Sequence, residues 1–266
     1  MPAIYAHRAF GEDVKKRLAR DRYAEVFAFS DSFALGLHGP DTLFYFHPLG
    51  HNAVNRRGNA MHEESAALFF TRSRDIFVQR GCRAAERAYL YGFVCHFALD
   101  SVCHPEVAAQ MRKYDVSHTA VEAAFERCML ERDGLDPVRA HAESHIRESG
   151  ENVCAVAAYC GVSEKQARRA ICSMVRCSRL LRAPNACKRA LLHFALRLAG
   201  SKSVIDMIVP AQDKPVHAEG NAALAACYAR ALEKAVSLIG NLRGFLAGEE
   251  ALDEAFSSNY ESEEKI

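Results

Sequence analysis

The sequence predicts an all-α fold, a multi-helix bundle. Three observations carry that prediction. Apolar residues recur at helical spacing along most of the chain, capping and stop residues bracket those stretches, and β-branched alternation is scarce. Only residues 203–209 read as strand-like.

The first helix is expected over residues 9–20, where charged and apolar residues take turns. Residues 63–80 place Ala66, Ala67, Phe69, Phe70, Ile76 and Phe77 close to one stripe. Residues 84–102 are long and mostly apolar, the pattern of a helix buried on all sides. Residues 120–131 are amphipathic and follow Ser117, a capping residue. Ser163 and Glu164 open a helix that runs to about Leu181 and stops before Pro184. Residues 188–199 and 221–246 complete the set, with Gly200 and Gly248 as C-terminal stops. Residues 36–58 hold Gly, Pro, Asn and aromatics without periodicity, so they are expected to form a long loop, of the kind that often carries function. From Glu249 the chain turns acidic and polar. We expect one helical domain over residues 1–248 and a disordered tail over 249–266. No internal repeat or linker interrupts it.

The composition excludes several classes. Half the residues are hydrophobic and a quarter charged, the balance of a soluble globular chain. The formal net charge of +1 and the absence of Trp give no nucleic-acid signature. No apolar run reaches the ~18 residues of a spanning helix. The opening residues lack an apolar signal core, which together points to the cytoplasm. Ten cysteines occur without a single C-x-x-C pair, so they read as small hydrophobes in a reducing compartment.

The chemistry concentrates in one stretch. His96, Asp100 and His104 are spaced four apart. Each such step drifts only about 40° around a helix, so the three side chains leave one stripe. The residues between them are apolar, and buried imidazole and carboxylate need partners that a metal supplies together. His118 and Glu122 form a second four-residue pair shortly after. His7, Asp41 and His62 are further candidates upstream. Imidazole and carboxylate without thiolate suit zinc and also admit iron or manganese. Eight such ligands are too many for one tetrahedral ion and enough for two or three. A cluster of that kind activates water and clamps phosphate oxygens.

Taken in order, His7, Gly39-Pro40-Asp41, Met61-His62-Glu63, His96 with Asp100, His104-Pro105, Ser117-His118 with Glu122, and Asp133-Gly134-Leu135-Asp136-Pro137 resemble the bacterial zinc-dependent phospholipase C family, especially members without a signal peptide. The resemblance spans residues 1–245. Related single-strand-specific zinc nucleases share the family's all-helical fold. The resemblance implies three clustered zinc ions: one on Asp41, His62, His96 and Asp100; a second on His104, His118 and Glu122; a third on His7, on Asp100 as a bridge, and on the chain's terminal amine and carbonyl. It also implies Asp41 as general base and a phospholipid or other phosphodiester as substrate.

The expected function is therefore metal-dependent phosphodiester hydrolysis. A nuclease or nucleotide phosphatase on the same metals is one alternative, and a non-catalytic metal-binding protein is another. An HD-type phosphohydrolase is disfavoured, because no adjacent His-Asp pair occurs. Phe44, Tyr45 and Phe46 can contact a lipid or anchor their loop on the core. His141 and His145, among Arg139, Glu143, Arg147 and Glu148, read as a solvated helix face.

Overall fold

The computed structural model describes residues 4–213 and 215–261. Its elements in chain order are α1 (Ile4–Lys15), α2 (Ala24–Ala28), α3 (Ser30–Gly36), a 3-10 turn (Gly39–Tyr45), α4 (Ala53–Glu63), α5 (Ala66–Gln79), α6 (Ala84–Tyr114), α7 (His118–Arg132), a 3-10 turn (Ala142–His145), α8 (Gly150–Cys160), α9 (Glu164–Leu181), α10 (Ala186–Leu198), α11 (Lys202–Asp206), α12 (Pro215–Ala247) and a last 3-10 turn (Glu254–Ser257). Among the described residues there is no strand, so the all-α expectation holds. The strand-like run near residue 203 begins as helix α11 instead.

Helix α6 is the axis of the fold. Its residues from Ala88 to Ser101 are all buried, as an apolar run without a polar face requires. It extends past the expected end at residue 102, through Pro105, to Tyr114. Pro105 removes one backbone bond, and packing along α12 carries the helix across that loss. Helix α3 crosses α6 at closest range, where Gly36 faces Gly92. A Cβ on Gly36 would strike the Tyr89 carbonyl, and one on Gly92 the Phe33 carbonyl. That crossing brings the segment after α3 onto the middle of α6.

Several caps behave as the sequence predicts. Ser117 Oγ accepts from the Ala120 amide, and Ser163 with Gln166 forms a full capping box. Gly200 and Gly248 both take positive φ at helix ends.

Two further expectations fail. Residues 36–58 are not one long loop. A 3-10 turn and the start of α4 occupy them, held by Asn55, whose Nδ2 donates to the carbonyls of Leu43, Phe44 and Phe46. Nor are residues 249–261 disordered. Phe256 and Tyr260 are fully buried, and the segment lies along the α4–α5 junction. There the Ala66 amide donates to the Ser258 carbonyl, and Ser65 Oγ to the Phe256 carbonyl. Two apolar anchors are enough to order a segment whose average composition is polar.

Candidate metal centre

Five elements deliver the candidate ligands to one place. Helix α1 brings His7, the 3-10 turn after α3 brings Asp41, and the last turn of α4 brings His62. Helix α6 supplies His96, Asp100 and His104, and α7 supplies His118 and Glu122. All but His118 are buried, and the His118 side chain is 33 % exposed.

The ligand atoms form three groups, each able to hold an ion: His7, His96 and Asp100; Asp41, His62 and His96; and His104, His118 and Glu122. Asp100 stands between them. Its Oδ1 lies 3.4 Å from His7 Nε2, and its Oδ2 lies 3.2 Å from His96 Nε2 and 3.9 Å from His104 Nε2. His62 Nε2 is 3.0 Å from Asp41 Oδ1, and His118 Nε2 is 2.9 Å from Glu122 Oε1. Two ligands at about 2.0–2.1 Å from a tetrahedral zinc stand roughly 3.3 Å apart. The pairs fall around that spacing.

Imidazole orientation is set from behind. Nδ1 of His62 donates to the Gly58 carbonyl at 2.8 Å, that of His96 to Leu37 at 3.2 Å, and that of His104 to Tyr260 at 2.8 Å. With the proton placed on Nδ1 by these acceptors, each Nε2 lone pair faces inward. His62 Nε2, His96 Nε2, His104 Nε2, Asp100 Oδ2 and Glu122 Oε2 are buried and lack a hydrogen-bond partner among the described residues. Buried lone pairs that converge without bonding one another are costly unless a cation collects them. The donor set therefore fits a bound metal.

Charge argues the same way. Burial raises the Glu122 carboxyl, yet His104 and His118 outweigh it and hold it at about 2. Burial likewise raises Asp41, but the neighbouring His96 and His62 keep it well below the carboxylate range. His104 is lowered by burial, but Asp100, Glu122 and Glu261 lift it to about 10. These carboxylates draw positive charge into a largely buried site.

The chain matches the family model for zinc-dependent phospholipase C over residues 6–172. That is more than half of the sequence, and it encloses all eight candidate ligands. The chain belongs to this family. Membership supports metal-dependent hydrolysis of the phospholipase C kind and zinc as the metal. No curated protein and no solved structure matches the chain. No helix among the described residues of this zinc-dependent phospholipase C family member is long and apolar enough to cross a membrane.

The remaining sequence candidates are placed differently from one another. Phe44 is half-buried and stacks on His62, with centroids 5.3 Å apart. Phe46 is half-buried and packs edge-on against His47. Tyr45 is buried in the core beside Ile4 and Glu126, so it anchors the turn. The solvated-face expectation fails for His145. Its Nε2 meets His38 Nε2 at 2.8 Å, and burial drives its imidazole down to about 3. The terminal amine lies outside the described residues.

Sequence reasoning missed Glu126 and Tyr260 as supporting residues, and it named Gly39 only as part of a motif. Glu126 is buried and accepts the amides of Tyr5 and Ala6 at 2.7 and 2.8 Å, which satisfies the first turn of α1 and sets His7. Burial pushes its carboxyl up to about 8 against the pull of those amides. The spacing Glu122-x-x-x-Glu126 was the available signal. Gly39, at φ +45°, passes so close to the His96 ring that a Cβ would collide with it. Tyr260 bonds to both ends of the site, and nothing in an acidic tail announced it.

Proposed function

We propose that this chain hydrolyses phosphodiesters, with phospholipids as the substrate class, at a cluster of two or three zinc ions. One observation carries the reading: imidazoles fixed from behind at Nδ1 turn Nε2 atoms toward buried carboxylates, His96 and His104 toward Asp100 and His62 toward Asp41. In this proposal Asp41, His62, His96 and Asp100 hold one ion, and His104, His118 and Glu122 a second. His7 and Asp100 hold the third. Iron or manganese suits the same donors.

Zinc, when bound, supplies Lewis acidity that acidifies water and offsets charge developing on phosphoryl oxygens. The protein's residues do the rest. Asp41, ionised at neutral pH, accepts the proton of the attacking water as well as serving as a ligand. The backbone carbonyls behind His62, His96 and His104 keep those rings from turning, so the constellation is fixed before substrate arrives. His118, on the exposed side, marks the approach to the cluster. A small cleft against His7, Asp100, His104 and Glu122, walled by Leu99, Val107, Phe125 and Leu224, offers apolar surface to a lipid. Phe44 and Phe46 are proposed to contact the substrate on the Asp41 side. Cytoplasmic location is part of the proposal, and ten cysteines without a disulfide fit it.

The test is hydrolysis of bis(p-nitrophenyl) phosphate by zinc-reconstituted protein, against a His96→Ala, Asp100→Ala control. Phosphatidylcholine, single-stranded DNA and mononucleotides are then compared as substrates. Wild-type turnover no faster than the control sinks the reading, and a preference for DNA or nucleotides moves it to the nuclease class.

A further inference from the structure

The family match ends at residue 172, and near that point the chain changes character. From residue 165 to residue 205 it carries ten Lys and Arg and no Asp or Glu, in a protein of formal net charge +1. Arg168 and Arg179 meet Glu148 and Glu143 from neighbouring segments, and Asp206 is held by Ser117. Arg197 is exposed on α10, a helix with no acidic residue of its own.

Helix α10 has no buried residue. Cys187, Leu191, Phe194 and Leu198 fall within about 60° of one another on its wheel. Leu191, Phe194 and Leu198 are 66 %, 63 % and 74 % exposed, and Leu180 at the end of α9 is 58 % exposed. Leu192 and Leu196, on the opposite side, are half-buried. By spacing, exposed Arg197 flanks the apolar stripe on one edge; Lys188 lies on the other, half-buried, with its Nζ donating to the Arg179 and Arg182 carbonyls. An apolar stripe of large side chains between cations is the pattern of a helix lying in a membrane interface. The helix also sits close to the site. It shares a groove with Ala120 and Ala123 of α7, the helix that carries His118 and Glu122.

We propose that α10 is an interfacial anchor that seats the protein on an anionic phospholipid surface. The choice of a bilayer over other anionic partners rests on the phospholipid reading above. Insertion of Leu191, Phe194 and Leu198 removes their apolar area from water, and cations beside an anionic surface add about fivefold each.

Vesicle co-sedimentation of the full chain tests this, with phosphatidylcholine alone and with roughly a third phosphatidylglycerol. Wild-type protein is expected to pellet with the anionic vesicles, and less so as salt rises. A Leu191→Ser, Phe194→Ser variant should bind roughly tenfold or more weakly. Arg197→Glu should weaken binding to anionic vesicles selectively. Thermal melting and bis(p-nitrophenyl) phosphate hydrolysis by the double variant serve as controls and should match wild type. Vesicle binding that depends on α10 supports the anchor whether or not the ester is cleaved, so the two readings fail separately. Wild-type protein left in the supernatant overturns it. So does equal binding by the double variant, or a dimer that depends on Phe194 in place of vesicle binding.

Discussion

His104 Nδ1 donates to the carbonyl of Tyr260, 156 residues further along the chain, at 2.8 Å. The Tyr260 amide in turn donates to the His62 carbonyl at 3.2 Å, and its ring tilts against His62 and His96. One residue near the C-terminus thus touches candidate ligands on α4 and α6. A chain ending at Gly248 should keep its helices but bind zinc about 10–100-fold more weakly, because His104 loses the acceptor that fixes its tautomer. Competition with a chromophoric chelator measures this. Unchanged affinity would show the strap to be irrelevant to the site.

Asp100 turns Oδ1 toward His7 and Oδ2 toward His96 and His104, so both oxygens face candidate ligands. Asp100→Asn keeps the shape but replaces one acceptor oxygen by a donor NH2 and removes the charge. It should cost more bound metal per chain than His118→Ala, which removes a ligand from the exposed rim. Metal content by mass spectrometry decides, and the reverse order would contradict Asp100 as the bridge.

Gly39→Ala should be disproportionately harmful for one methyl group. The positive φ disfavours any side chain, and the new Cβ meets the His96 ring. We expect a stability loss of about 1–3 kcal/mol and a fall in activity of roughly tenfold or more. Denaturant melts and steady-state turnover read the two effects, and wild-type values in both would refute the contact.

The His38–His145 pair should make the fold acid-sensitive. One ring donates and the other accepts, so the accepting ring must be neutral and the pair cannot hold two charges. Burial, with the nearby Arg8, lowers His145 to about 3, below its unfolded value of about 6.5. The unfolded chain then binds more protons between those values, and stability falls as pH drops through that window. By pH 5 the loss is about 2 kcal/mol relative to neutral pH. His145→Gln should flatten that limb of the stability curve. A variant with the same acid slope as wild type would assign the slope elsewhere.

By itself, the sequence determined the all-helical class, the approximate helices α5, α6, α7, α9, α10 and α12, and the stripe His96–Asp100–His104. These are local quantities. Periodicity, caps and four-residue spacing are properties of one helix, and they need no knowledge of its neighbours. Tertiary structure alone decided that His7, Asp41 and His62 meet that stripe, that Glu126 holds α1, that Gly39 clears His96, and that Tyr260 closes over the site. Each depends on two segments far apart in the chain. The tail shows why composition misled. Its average is acidic and polar, but its order comes from burying Phe256 and Tyr260 in a core built by residues more than a hundred positions away.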